Sequence, residues 1–174
     1  MGDEVLLSRK PTGTLVLHDL KPGRHLYMLG TGTGLAPFLS IIQDPETYER
    51  FERVVVCHGV RNIADLAYRD YFMKELPQHE FLGETIRDKL LYYPAVTREE
   101  FPHRGRLTEL MASGEMMRSL GLEPLDAEHD RAMICGSPQM LADFRALLDG
   151  RGFSASPRIG SAGQYVFERA FVEK

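Results

Sequence analysis

From residue 25 onward, short apolar runs of strand length alternate with stretches of helical period, and this alternation restricts the fold more than any other feature of the chain. Strands are expected over 25–29, 54–58, 90–96, 132–135 and about 165–171, with helical stretches over 35–43, 64–76, 107–112 and 138–148 between them. Strands that alternate with helices pair in parallel, because the helix carries the chain back to the same end of the sheet. The expected fold class is therefore α/β, a doubly wound parallel five-stranded sheet with helices on both faces. Its ligand site lies beyond the carboxyl ends of the strands. Two of the helical stretches carry clear apolar stripes: Ala64, Tyr68, Tyr71, Phe72 and Leu76 in one, and Met140, Leu141, Phe144 and Leu148 in the other. Both stripes read as core. The second stretch also has Ser137 as N-cap, Pro138 in its first turn and Gly150 to end it.

At 174 residues and 43% hydrophobic content the chain is the size of one domain with an ordinary core. Its net charge of -4 argues against a general nucleic-acid binder, so any basic pocket must be local. Cys57 and Cys135 stand far apart, without the spacing of a zinc site, and read as free thiols in a reducing cytoplasm. No metal site is expected, since the histidines form no HExxH pair. No apolar run reaches the roughly 18 residues of a membrane span, and residues 1–10 lack a signal-peptide pattern. Residues 4–17 read as two short strands around the turn Lys10-Pro11-Thr12-Gly13, an edge piece ahead of a second turn at Lys21-Pro22-Gly23.

The richest stretch for chemistry is Met28-Leu-Gly-Thr-Gly-Thr-Gly-Leu-Ala-Pro-Phe38, a strand that enters a helix through three alternating glycines. Glycines let the backbone turn tightly and approach a ligand, and the first amides of a helix suit a pyrophosphate. The spacing is neither GxGxxG nor that of a P-loop, and taken alone it fits a tight strand-to-helix connection equally well. After the second strand comes His58-Gly-Val-Arg61, with arginine where an NAD-preferring protein usually places an acid for the ribose 2′-hydroxyl. The third strand ends in Val96-Thr-Arg-Glu99 and is followed by Gly105-Arg-Leu-Thr108, so Arg98 and Arg106 can converge on one anion. Singly, such arginines read as solvated surface. Cys135-Gly-Ser-Pro-Gln139 closes the fourth strand, where Cys135 also fits a small buried hydrophobe.

In this order, along nearly the whole chain, these motifs resemble the ferredoxin:NADP reductase family, and the end of the chain resembles its bacterial flavodoxin/ferredoxin reductase subgroup with an Ala-Phe-Val tail. The resemblance implies a nucleotide loop of Thr31, Gly32, Thr33 and Gly34, with Thr33 facing the flavin. It implies pyrophosphate contacts at Val60 and Arg61, a 2′-phosphate site at Thr97, Arg98 and Arg106, and nicotinamide-side contacts at Ser137, Pro138, Gln139 and Asp143. Cys135 would flank the nicotinamide, Glu168 aligns with the active-site glutamate, and Ala170 and Phe171 belong to the tail beside the flavin. Without the family, Glu168 is a polar residue on an edge strand and Asp143 a solvated helix acid.

The cofactors implied are NADP(H) and FAD, and the partners ferredoxin or flavodoxin. Residues 1–22 resemble only the end of the family's FAD-binding barrel, with 23–174 as the NADP(H)-binding domain. The barrel's Arg-x-Tyr-Ser motif does not occur, so the FAD domain is expected to be mostly missing and this piece inactive alone. Two other readings remain: a stand-alone NADP(H)-binding or sensing module, and a reductase component that feeds an oxygenase.

Overall fold

The computed structural model describes residues 13–169, except for the side chain of Arg169. Five parallel strands, β1 (His25–Thr31), β2 (Arg53–Val60), β3 (Leu90–Val96), β4 (Asp130–Gly136) and β5 (Tyr165–Arg169), form one sheet in the order β3-β2-β1-β4-β5. The chain winds outward from β1 to β3, then returns across the sheet to place β4 on the other side of β1. This reversal opens a crevice above the carboxyl ends of β1 and β4.

Among the described residues the helices are α1 (Ala36–Ile41), α2 (Pro45–Arg50), α3 (Gly83–Lys89), α4 (Leu107–Ala112), α5 (Glu115–Leu120) and α6 (Pro138–Asp149). Alternation along β1 divides them between the two faces. Leu26 and Met28 pack with Phe38, Ile42, Tyr48 and Ile86 from the α1–α3 side. Tyr27 and Leu29 pack with Leu110, Met111, Met116, Met117 and Phe144 from the α4–α6 side. The expected doubly wound α/β class is the one observed. Because both faces are covered, β1, β2 and β4 are buried almost throughout, with apolar runs at their centres instead of alternation.

The best-defined helix from the sequence is α6. Ser137 caps it by accepting a hydrogen bond from the Met140 amide at 3.3 Å, Pro138 occupies its first turn, and Met140, Leu141, Phe144 and Leu148 are buried.

The expected helix over 64–76 does not form as one element. Asn62 donates to the Asp65 carboxylate through both its amide and its side chain, closing a tight turn over Ile63–Asp65. Leu66 then buries against Val60 and Val96, and Tyr68 takes φ of 63°, which reverses the chain. A widened turn at Tyr71–Glu75 and a short 3-10 turn at Leu76–Gln78 follow, with Pro77 lacking the amide a continuous helix needs. Phe72 and Leu76 keep their core roles, but Tyr68 and Ala64 are exposed.

The described part of the expected edge strands also differs. Residues 13–16 are irregular, Leu17–Asp19 is a 3-10 turn, and the only β-bridge of this described segment joins Leu20 to Gly163. Leu15, Leu17 and Leu20 instead insert into the core on the α1–α3 side, so their apolar spacing reflects burial of a loop. The first expected strand and the turn at Lys10 lie outside the described residues, apart from Gly13.

Phe144 is fully buried and joins α6 to the sheet. Phe144→Ala should lower unfolding free energy by about 3–5 kcal/mol in a denaturant titration, through lost burial and the cavity left behind.

Candidate functional site

The site grows from one unusually close backbone approach. In register, Gly30 of β1 lies opposite Cys135 of β4. Beyond this point the loop after β1 folds over the end of β4, and a Cβ added to Gly34 would stand 2.2 Å from the Cys135 carbonyl oxygen. Only a residue without a side chain fits there. Gly32 has φ of 54°, so the loop also needs a left-handed residue at its tip. Gly32–Leu35 forms a 3-10 turn that leads into α1, whose first turn has no side-chain cap. The helix is short, and the amides of the turn extend the run of donors at its start.

This loop is the floor of a cleft of about 1280 Å³ at the carboxyl ends of the strands. Thr31, Gly32 and Thr33 line it from β1, Val60 and Arg61 from β2, Thr97 and Arg98 from β3, Arg106 from the start of α4, and Ser137, Gln139 and Asp143 from α6. The ladder between β2 and β3 continues past the strands: the Thr97 and Arg98 amides donate to the carbonyls of Val60 and Arg61 at 3.1 and 2.9 Å. That pairing brings Arg61 and Arg98 to one wall. The loop after β3 then folds back, with the Gly105 amide donating to the Val96 carbonyl at 3.0 Å and His103 stacked on Tyr93 at 4.1 Å. It returns Arg106 to the same cleft. Among the described residues, Arg104 pairs with Glu100, whereas no ion pair engages Arg61, Arg98 or Arg106. An exposed cation that no carboxylate holds is available to an anion.

On the other wall, the Thr31 hydroxyl donates to the Met140 sulfur at 3.1 Å, and the Gln139 side-chain amide donates to the Asp143 carboxylate at 2.7 Å. The second contact is an exposed pair one turn apart on α6. Pro138 begins α6 but does not line the cleft.

Cys135 lies beneath the loop. It is buried at the end of β4, opposite Glu168 of β5. Burial, and secondarily the Glu168 carboxylate, push its thiol up to about 11, so it is protonated near neutral pH and unsuited to act as a thiolate nucleophile. Glu168 is half-buried and accepts hydrogen bonds from the amide and hydroxyl of Thr14 at 2.8 and 2.7 Å. It thus ties the segment before β1 to the edge strand next to Cys135. Ala170 and Phe171 lie outside the described residues. The other cysteine, Cys57, is fully buried beside the Met116 sulfur and takes no part in the cleft.

Sequence reasoning missed several cleft residues, among them Asp65, Ala67, Tyr68, Thr108 and Glu109. The Asn62 and Asp65 turn chemistry was the available signal for the loop that carries Tyr68.

Residues 28–146 match the family model described as the oxidoreductase NAD-binding domain. The chain is 60% identical over 173 residues to the ferredoxin–NADP reductase of Azotobacter vinelandii, covering 99% of this chain and 67% of that one. The chain belongs to the ferredoxin–NADP reductase family. A flavodoxin/ferredoxin–NADP reductase of Rhodobacter capsulatus is 42% identical over 176 residues, covering 99% of this chain and 63% of that one. A crystal structure of a ferredoxin NADP+ reductase from Neisseria gonorrhoeae with bound FAD and NADP superposes with a TM-score of 0.76 at 34% identity, covering 92% of this chain and 61% of that one. The chain therefore spans roughly two thirds of the length of these family members, with 67%, 63% and 61% covered.

Two expectations follow. Gly34→Ala should drive its new methyl into the Cys135 carbonyl, cost more than the roughly 1–3 kcal/mol of ordinary overpacking, and lower the thermal midpoint clearly. Cys135 has a raised folded-state pKa, so its contribution to stability should be complete below the ordinary thiol range. That contribution should be lost as pH rises from about 9 to about 11, because the unfolded chain releases the proton first. Unfolding titrations of the parent and Cys135→Ser across this range check the sign: the parent should lose more.

Proposed function

We propose that residues 23–174 form the NADP(H)-binding unit of a flavin-dependent reductase that exchanges electrons between NADPH and ferredoxin or flavodoxin. The observation that carries this reading is the convergence of Arg61, Arg98 and Arg106, free of ion pairs among the described residues, on the same cleft as the glycine loop. The cleft suits a dinucleotide in size and in its donors. The amides from Thr31 to Gly34, with Val60 and Arg61, would hold the pyrophosphate. Thr97, Arg98 and Arg106 would take the 2′-phosphate, since guanidinium forks match its oxygens. Ser137, Gln139 and Asp143 would bound the nicotinamide side, with Pro138 only starting the helix that carries them.

When bound, the nicotinamide supplies a hydride, for which FAD is the two-electron acceptor that can pass electrons on singly. The protein's task is orientation, because hydride transfer needs aligned rings and no nucleophile. Cys135, kept protonated by its burial, would act by shape and polarity under the loop. Thr33 and Glu168 would face the flavin, and Ala170 and Phe171 would continue that side. These flavin-side roles rest on the family pattern, as does the assignment of residues 1–22 to the end of an FAD-binding barrel.

Titration of the chain with NADPH and NADH tests the reading. NADPH should bind more tightly, and Arg106→Ala should weaken it by roughly 10- to 150-fold, the value of a charge-assisted contact, with NADH little affected. Equal affinities, or no effect of Arg106→Ala, would contradict it. In a parent that carries the flavin, Cys135→Ser should lower the limiting rate of flavin reduction in stopped-flow while leaving the NADPH dissociation constant nearly unchanged.

A further inference from the structure

Tyr68 is the only non-glycine residue with positive φ among the described residues, at 63°. For a bulky side chain this conformation is unfavourable, and it persists only where neighbouring contacts impose it. Those contacts are present on both sides. Ahead of it, Leu66 is buried between Val60 and Val96. Behind it, the Arg69 guanidinium lies over the Phe101 ring at 5.7 Å, and Phe72 is stacked on Tyr92 at 4.5 Å with ring planes 6° apart. The amide of Phe72 donates to the Tyr68 carbonyl at 3.0 Å, fixing the turn itself.

The outcome of this arrangement is a tyrosine that is not packed into the core. Its side chain remains 56% exposed, meets Tyr71 edge-on at a centroid distance of 6.4 Å, and lines the cleft together with Arg61 and Arg98. An exposed aromatic ring held in a strained turn at the wall of a ligand cleft has no folding benefit that glycine or asparagine would not supply at lower cost.

We infer that Tyr68 is a cofactor-binding residue, its ring forming the wall against which the adenylate half of the dinucleotide packs. This rests on the NADP(H) reading of the cleft. The half is assigned by position. Tyr68 follows β2, whose neighbour β3 carries Arg98, while Ser137 and Gln139 follow β4 on the opposite side of β1. The arginines mark the 2′-phosphate side of the cleft, and Tyr68 stands on that side. Adenine offers a flat π-face, and an aromatic ring is a suitable surface for it.

The experiment uses the full chain and adenosine 2′,5′-bisphosphate, which represents the adenylate half without nicotinamide. Calorimetric titration and thermal unfolding are measured on the parent, Tyr68→Gly, Tyr68→Phe and Arg106→Ala. Tyr68→Gly should weaken binding about tenfold. Its thermal midpoint should stay equal or rise, because glycine accepts the positive φ that strains tyrosine. Tyr68→Phe, which keeps the ring, should bind within about twofold of the parent. A purely structural residue would not give weaker binding with undiminished stability. Parent-like binding by Tyr68→Gly, alongside weakened binding by Arg106→Ala, would overturn the role of Tyr68 while leaving the reading of the cleft intact. Weakened binding by Tyr68→Gly with a lowered midpoint would make the residue structural and also overturn the inference. Failure of the parent to bind the probe, or no effect of Arg106→Ala, would overturn the reading of the cleft itself and the inference with it.

Discussion

The contact on which the site depends is between two backbones, where Gly34 lies against the carbonyl of Cys135. The sheet reverses its winding at β1 and β4, and at this point the loop leaving β1 can settle over the end of its neighbour only if no side chain intervenes. A second close approach, here of backbone to side chains, lies alongside. A Cβ at Gly136 would stand 2.2 Å from the Met140 sulfur and 2.6 Å from the Thr31 hydroxyl. Together these glycines let the loop after β1, the end of β4 and the start of α6 close on one another. At Gly34 the floor of the cleft is thereby set by backbone against backbone and not by the rotamers of flexible side chains, which favours a preformed site.

The walls are positioned by different means. On one side, the β2–β3 ladder continues past the strands, and a folded-back loop returns Arg106 beside Arg98. This local gathering of cations occurs in a chain of net charge -4, and Asp65, Glu109 and Asp143 line the same cleft, so the three arginines are a local cluster and not part of a basic surface. On the other side, Ser137 and Gln139 sit at the start of α6, whose buried stripe anchors it to β4 and β5. Beneath, burial keeps His58 neutral by pushing it down to about 4, and its Nδ1 lies 3.0 Å from the Tyr92 hydroxyl. This histidine therefore carries no charge near neutral pH.

Much of this was legible in the sequence because it rests on local patterns. The strand cores, the capped α6 and the Thr-Gly-Thr-Gly turn are each encoded within a dozen neighbouring residues, and the order of motifs placed them on one rim. The loop around Tyr68 was not legible. Its apolar residues recur at helical spacing, yet Leu66, Arg69 and Phe72 are each drawn to a partner distant in sequence, at Val96, Phe101 and Tyr92 respectively. Tertiary contacts thus override the local helical preference. Leu15, Leu17 and Leu20 mislead for the same reason, since a buried loop and a strand leave similar apolar spacing. The link from Thr14 to Glu168 spans 154 positions and has no sequence signature.

The most direct test of the central claim is amide chemical-shift mapping of the chain during titration with NADP+ and, separately, NAD+. The account predicts that both perturb the amides of Gly32, Thr33 and Gly34, where the pyrophosphate is placed, and that only NADP+ strongly perturbs Arg98 and Arg106. Shifts that are identical for the two nucleotides, or that fall away from the glycine loop, would contradict it.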